Sequence, residues 1–255
     1  MNINKFKFVL FFLIFFKCYS LFAESENKKN SNISKISQPI IFLAKSFIEK
    51  RKKGEFFEMP FISITGCTAV GKTEFAKGLK FEFEKENIMA VILKQDDFIR
   101  AYKANVGNFA HSWLNHDEMH RVIDEIKNGK LNVNRPRFNL KSQVVTYEEL
   151  DLTHVDIILF EGIYVLNTDV PYDFNSYANI KIFIDASKED IIRWDWQREI
   201  DFKNSCCIPV SKSGFNRGVA RIMRDYRKNI LPKKKKVDFI IEKDANHNYS
   251  LIINW

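Results

Sequence analysis

The stretch that decides the fold is Gly66-Cys67-Thr68-Ala69-Val70-Gly71-Lys72-Thr73. It matches the pattern G-x-x-x-x-G-K-[ST], and it lies between a β-rich pentapeptide at residues 61–65 and an amphipathic stretch at 73–85. Glycines in such a loop let backbone N–H groups turn towards phosphate oxygens, and the start of the following helix adds a favourable dipole. The loop therefore predicts a binding site for the phosphates of a nucleotide.

Two side chains at the end of this loop carry most of its chemistry. Lys72 is expected to reach the β- and γ-phosphates, and the hydroxyl of Thr73 is expected to bind Mg²⁺. All eight residues of the loop are therefore candidate nucleotide-binding residues. Thr73 is also a candidate metal ligand. The ligands that the loop predicts are ATP and Mg²⁺.

Short apolar runs alternate with longer amphipathic ones through the rest of the chain. The apolar runs predict strands at 61–65, 89–93, 155–160, 180–184 and 237–241. The amphipathic runs predict helices at 39–51, 73–85, 117–128, 187–203 and 219–229. Uninterrupted apolar strands between helices are typical of a parallel sheet covered on both faces. We therefore predict one α/β domain at 38–255, with a parallel sheet of about five strands flanked by helices.

Two acidic residues follow predicted strands directly. Asp96 comes after the second strand, and Glu161 ends the third. The carboxyl ends of parallel strands meet at one edge of a sheet, so both carboxylates are expected to face the phosphate loop. One carboxylate would then serve as the base for an acceptor hydroxyl, and the other would lie beside the metal.

Several motifs occur in the same order as in a known family. They are the phosphate loop, Asp96-Asp-Phe98, Phe160-Glu-Gly-Ile163, Ile182-Phe-Ile-Asp185, Arg193-Trp194 with Arg198, Asn229-Ile-Leu-Pro232 and Lys243-Asp-Ala-Asn-His247. From about residue 40 to the end, the chain resembles the phosphoribulokinase/uridine kinase family of P-loop kinases. Within that family it is most similar to the bacterial type I pantothenate kinases.

The resemblance implies a P-loop kinase fold with a helical lid at 202–224, and it implies particular roles for particular residues. Asp96 would deprotonate the acceptor hydroxyl, and Glu161 would lie near the metal. Arg198 would hold the acceptor and the transferring phosphoryl group. Asn246 and His247 would approach the adenine. A small-molecule acceptor and a homodimer are also implied.

The acceptor half of the chain departs from the family pattern. Pantothenate kinases have a Tyr-x-His pattern after the proline that corresponds to Pro136, whereas here Arg137, Phe138, Asn139 and Leu140 follow. Asp195 stands where a tyrosine is expected, and Ile222 where an asparagine is expected. The corresponding uridine kinase segment is matched no better. Because polar partners in a pocket determine which hydroxyl compound it accepts, the sequence does not specify the acceptor.

Two functions remain open on this basis. The first is an ATP-dependent kinase that phosphorylates a hydroxyl of a small metabolite. The second is an exported or anchored ATP-binding effector or scaffold in which the acceptor pocket is degenerate. Phosphorylation of a compound from a metabolite panel would indicate the kinase, whereas tight ATP binding without transfer would indicate the scaffold.

The first 23 residues resemble an export signal. Lys5 and Lys7 precede the apolar run 8–16, which is too short to span a bilayer as a helix. The segment is therefore interpreted as a signal peptide or a membrane anchor. The alternative is an unused upstream start, which would leave the protein in the cytoplasm. Residues 24–37 are polar and lack apolar periodicity, which is typical of a linker.

The charge and the cysteines exclude several classes of protein. The chain has 40 basic and 32 acidic residues, and the 37 and 32 that follow residue 23 give a net charge of +5. No nucleic-acid motif accompanies this excess, so no nucleic-acid partner is expected. The run Lys233 to Lys236 is interpreted as a solvated loop, with a role near the nucleotide as the alternative. The four cysteines have no metal-binding spacing and do not form a disulfide framework.

Overall fold

A computed structural model describes residues 32–100, 113–169 and 172–253. A six-stranded sheet forms its centre, in the order β2-β5-β1-β6-β7-β8. The strands are β1 Phe61–Gly66, β2 Ala90–Lys94, β5 Ile157–Glu161, β6 Ile180–Ala186, β7 Phe239–Lys243 and β8 Tyr249–Ile253. The first five of these are parallel to one another, and β8 pairs antiparallel with β7 at the edge. The prediction of a mainly parallel sheet is therefore confirmed.

Helices cover both faces of this sheet. On one face lie α1, residues 32–52, and α2, Lys72–Lys85; on the other lies α3, His116–Lys127. The side chains of β1 alternate between the two faces of the sheet. Phe61 packs into the core that includes α3, and Ile62 packs into the core that includes α1 and α2. Every residue of β1 and of β5 is buried, which explains the apolar run Ile-Ile-Leu-Phe of β5 and the small polar residues Ser63 and Thr65 of β1.

Helix α1 begins earlier than the sequence indicated. It starts at residue 32, inside the segment predicted as a linker, and it passes through Pro39, where the helix was expected to begin. Ile33 and Ile36 are buried against α2, and a Cβ atom added to Gly78 would lie 2.5 Å from the Cδ1 atom of Ile33. Residues 32–37 are therefore part of the packed domain, because burial of these isoleucines favours the helix over a solvated linker.

A hairpin that was not predicted lies beside the main sheet. Its strands are β3, Asn132–Asn139, and β4, Val144–Asp151, and they form a separate antiparallel pair. Arg135 is buried at the base of the hairpin and donates to Glu148, with an Nη2–Oε1 distance of 2.7 Å. The polar composition of both strands explains why apolar alternation did not reveal them.

The segment 202–224, which the resemblance implies is a helical lid, covers the end of one helix and most of a second. The two helices are α4, Lys188–Ser205, and α5, Lys212–Asp225, and the Trp196 and Phe215 rings pack between them with centroids 4.7 Å apart. A single π-helical turn, Tyr226–Ile230, continues from α5, and the 3-10 helix Leu231–Lys236 follows it.

The export-signal segment lies outside the described residues, so its interpretation stays a prediction. None of the helices in the described ranges is both long and apolar enough to cross a bilayer.

Candidate active site

The phosphate loop connects β1 to α2 and requires glycine at both of its ends. Gly66 has φ 152° and Gly71 has φ 98°. A Cβ atom at Gly66 would lie 2.3 Å from the carbonyl oxygen of Ile184, and one at Gly71 would lie 2.9 Å from Nζ of Lys243. Close packing against backbone therefore excludes a side chain at Gly66, and the positive φ disfavours one at both positions.

The amino end of α2 fits an anion. Its N-cap is Gly71, which offers no side-chain oxygen to the first-turn N–H groups. By contrast, α3, α4 and α5 are capped by the side chains of Asn115, Ser187 and Ser211. The N–H groups at the start of α2 are thus available to phosphate oxygens, and the helix dipole favours negative charge there.

Lys72 lies inside the loop and is almost fully buried. Its Nζ atom donates to the carbonyl oxygens of Cys67, at 2.8 Å, and Gly66, at 3.3 Å. Burial lowers the pKa of Lys72, and the nearby charges of Glu161 and Asp96 act in the opposite direction. The carbonyl oxygens of the loop therefore hold the ammonium group next to the place where the phosphates would bind.

Thr73 and Glu161, which were predicted to lie beside the metal, contact each other. The Thr73 hydroxyl donates to Oε1 of Glu161 at 2.7 Å, across from α2 to the end of β5. Burial raises the pKa of Glu161, against the lowering effect of Lys72 and of the Thr73 hydrogen bond. A hydroxyl and a carboxylate fit Mg²⁺, which commonly takes one or two protein oxygens together with phosphate oxygens and water. The described ranges contain no cluster of three or more His, Cys, Asp or Glu side chains suited to a metal.

Asp96 follows β2 and is exposed, whereas its neighbour Asp97 is buried. Both lie in the 3-10 helix Gln95–Phe98. The charge of Asp96 raises the pKa of both Lys72 and Glu161, so Asp96 lies within electrostatic reach of the loop. Asp97 instead pairs with Arg137 of β3 at 2.7 Å and thereby fastens the hairpin to the end of β2.

Arg198 reaches the phosphate loop from α4. Its Nη2 atom donates to the hydroxyl of Thr68 at 2.7 Å and to Oδ1 of Asp195 at 2.5 Å. Lys72, Thr73, Asp96, Glu161 and Arg198 are thus gathered at one edge of the sheet.

Asn246 and His247 lie in the turn between β7 and β8, on the other side of the loop. The His247 ring stacks on Trp194 of α4, with centroids 4.9 Å apart. A cleft of about 350 Å³ opens beside this turn, and its lining includes Asp185, Ser187, Lys243 and Asp244. Its volume is within the range of small-molecule sites. The adenine contacts of Asn246 and His247 stay a prediction.

Two buried charges at the site were not among the predicted site residues. Lys243 donates to the carbonyl oxygen of Val70 at 3.1 Å, and its Nζ lies 4.2 Å from the centre of the Trp194 ring. Asp195 is the buried partner of Arg198. The position of Lys243 at the end of an apolar strand was a usable signal, whereas the burial of Asp195 was not visible in the sequence.

The lysine run is solvated only in part, because Lys235 and Lys236 are exposed whereas Lys233 and Lys234 are half-buried. It forms the 3-10 helix Leu231–Lys236, in which Lys234 pairs with Asp185 at 2.6 Å and Lys233 donates to the Thr168 hydroxyl at 3.0 Å. Tyr226 also donates to Asp185. The run therefore fastens the segment after the lid to the end of β6.

A glycine loop of this shape, with its lysine and Thr–Glu pair, on a mainly parallel sheet defines a P-loop nucleotide-binding protein. Residues 61–249 match the Phosphoribulokinase / Uridine kinase family. The chain therefore belongs to the phosphoribulokinase/uridine kinase family, and its relatives are small-molecule kinases.

Two relatives illustrate this membership, and one solved structure illustrates the fold. The chain is 24% identical over 200 residues to a uridine kinase of Ureaplasma urealyticum. The aligned region covers 76% of this chain and 87% of the relative. It is 24% identical over 221 residues to a pantothenate kinase of Salmonella newport, with 73% and 69% covered. The structure of D-glycerate 3-kinase from Cryptococcus neoformans var. grubii has a similar fold, with a TM-score of 0.65 and 10% sequence identity. The superposition covers 85% of this chain and 98% of the other.

Proposed function

We propose that the protein is a kinase that transfers the γ-phosphoryl group of ATP to a hydroxyl of a small metabolite. The observation that carries the proposal is the placing of an exposed carboxylate, Asp96, at the same sheet edge as the phosphate loop, within electrostatic reach of Lys72 and Glu161. A protein that only binds nucleotide has no need of a second, accessible carboxylate there.

Each residue has a defined task in this reaction. Lys72 and the N–H groups of the loop bind the phosphates, and Thr73 and Glu161 hold the metal. Mg²⁺, when bound, neutralises charge on the phosphate oxygens. Asp96 orients the acceptor hydroxyl and accepts its proton late in the transfer, because the transition state of phosphoryl transfer is loose. Positioning and charge stabilisation thus account for most of the rate enhancement.

The acceptor belongs to the class of small hydroxyl metabolites. Relatives named as uridine, pantothenate and D-glycerate kinases support this class, and their diversity leaves the particular compound open. In this chain Arg137 occupies the hairpin position that follows Pro136, and it pairs with Asp97 next to the proposed base. We therefore expect an acceptor selectivity that differs from that of the pantothenate kinases.

The test is a phosphorylation screen of the purified full chain with Mg²⁺ and γ-labelled ATP. The panel contains uridine, pantothenate, D-glycerate and ribulose 5-phosphate, followed by a wider mixture of hydroxyl metabolites. We expect label to appear in a small molecule, and Lys72→Ala to abolish the signal. Tight ATP binding without transfer to any member of the mixture would contradict the proposal. The homodimer implied by the family is a further proposal, which analytical ultracentrifugation would test.

A further inference from the structure

Asp195 is a carboxylate buried in the middle of the lid helix α4. Only 6% of the residue is exposed, and burial is the main reason why its pKa is raised. Among the described residues, its hydrogen-bond partner is Arg198, which also supplies the chief opposing charge. A carboxylate in such a place costs desolvation energy, which a single ion pair often fails to offset. A contribution to the stability of the fold therefore does not explain why a carboxylate is buried at this position.

Arg198 is different, because 59% of its side chain is exposed. A long exposed side chain samples many rotamers, and fixing it in one place costs conformational entropy. Here the same Nη2 atom contacts Asp195, one helical turn earlier, and Thr68 in the phosphate loop. The i, i+3 spacing places the carboxylate on the same face of α4 as the guanidinium, so the pair points the cation at the loop.

We propose that Asp195 is a positioning residue that holds the guanidinium of Arg198 over the phosphate loop. The inference rests on the proposed kinase function and adds to it a group that acts only through Arg198. The tether removes the entropic cost of ordering Arg198 each time the phosphates bind. Asp195 itself contacts neither phosphate nor acceptor.

A double-mutant cycle in kcat tests this idea. Asp195→Asn keeps the size of the side chain but removes its charge, and we expect it to lower kcat about tenfold, with a smaller change in the KM of the acceptor. Arg198→Ala should lower kcat further. In the Arg198→Ala background, Asp195→Asn should have no additional effect, because the tethered group is already absent. Asp201→Asn, the same chemical change at an exposed position of α4, is the matched control.

A second cycle measures equilibrium binding of Mg²⁺-ATP by titration calorimetry and does not depend on turnover. We expect Asp195→Asn to weaken binding a few-fold and to lose this effect when Arg198 is alanine. If no acceptor is ever phosphorylated but this coupling is present, the proposed function fails and the positioning role stands. If turnover is found but the coupling is missing from both cycles, the positioning role fails alone.

Three results would overturn the inference. One is an Asp195→Asn variant with unchanged kcat and unchanged nucleotide affinity. Another is additive loss in the Arg198→Ala background, which would indicate direct contact between Asp195 and a substrate. The third is a loss of activity that follows a loss of folding, which thermal melting of each variant detects. Arg198→Lys adds a further check. Lysine keeps the positive charge but lacks the planar fork of arginine, so this variant should not have the kcat of the unsubstituted protein.

Discussion

Asp96 differs from Glu161 and Asp195 because it is exposed and can meet a substrate. Glu161 and Asp195 are buried and are bound to Thr73 and Arg198. A general base must reach the proton that it accepts, so exposure and position favour Asp96 over the buried groups. The division of tasks among these three carboxylates thus follows from their burial and their positions.

We expect Asp96→Asn to separate binding from transfer. The amide cannot accept the proton, so kcat should fall by about 10²–10⁴-fold, the usual range for loss of a general base. Affinity for Mg²⁺-ATP should change little, because Asp96 makes no phosphate contact in this scheme. Steady-state kinetics and calorimetry measure the two quantities, with Asp117→Asn, an exposed carboxylate of α3, as control. Full activity of Asp96→Asn would refute the assignment.

Cys67 is a thiol within the phosphate loop, but it should be unreactive. It is fully buried, and burial raises its pKa to about 11. At pH 8 only about one thiol in a thousand would be ionised, and thiolate is the reactive form. We therefore expect iodoacetamide to spare Cys67 in the folded protein and to modify the exposed Cys207.

Peptide mass spectrometry after labelling at pH 8 measures both sites in one sample. Alkylation of Cys67 should appear only as the pH approaches 11 or when the protein is unfolded. Modification of Cys67 at pH 8 as fast as that of Cys207 would show that the loop opens to solvent and that its packing is not as described.

Among the secondary-structure elements, those with a strong apolar signal could be predicted from the sequence. All five predicted strands exist, because their apolar residues pack into the two cores; even β2, at the edge of the sheet, buries Ala90 and Leu93. The hairpin could not be predicted in this way, since β3 contains Arg135, Pro136 and Arg137 and is held by ion pairs across space. Pairing between distant side chains leaves no periodic pattern in the sequence.

Helix α1 was predicted only in part for a related reason. Ile33, Ile36 and Ile40 continue one apolar face at helical spacing, but Pro39 suggested a helix start, since proline is common in a first turn. Burial of the isoleucines against α2 outweighs the cost of an internal proline. At the site, the predicted strand ends were enough to locate Asp96 and Glu161 at the carboxyl edge of the sheet. The pairing of Asp195 with Arg198 could not be predicted without knowing which face of α4 is buried.

The packing of α1 gives a test at the level of this element. We expect Ile33→Ala to lower the free energy of unfolding by about 2 kcal/mol, at the low end for buried isoleucine because the site is near the start of the helix. Phe42→Ala on the same helix should cost less than about 0.5 kcal/mol, since 81% of Phe42 is exposed. Urea denaturation measures both. Equal effects would show that residues 32–37 do not pack as described.

In the molecule as a whole, the phosphate loop joins elements that are distant in sequence. Lys243 of β7 contacts the loop at Val70, Arg198 of α4 contacts it at Thr68, and Glu161 of β5 contacts the residue that ends it. A ligand bound at the loop is therefore coupled to the ends of β1, β5 and β7 and to helix α4. Binding energy should therefore appear as stability of the whole domain.

We expect Mg²⁺-ATP to raise the melting temperature of the protein. At a free concentration of about 100 Kd the gain in stability is about 2.7 kcal/mol. For a domain of this size, that gain corresponds to a rise of about 5–10 °C. Differential scanning calorimetry of the full chain measures the shift. Chelation of the metal should reduce it, because in the proposed site Thr73 and Glu161 would contact the nucleotide through Mg²⁺.

Lys72→Ala is the informative variant for this measurement. Removing the ammonium group takes a hydrogen-bond donor from the carbonyl oxygens of Cys67 and Gly66, so the nucleotide-free variant is melted first as its own reference. The shift on adding Mg²⁺-ATP should fall to a small fraction of the original value, since the cation that meets the phosphates is gone. A full shift in Lys72→Ala would mean that the nucleotide binds elsewhere, and the loop would then be a structural turn.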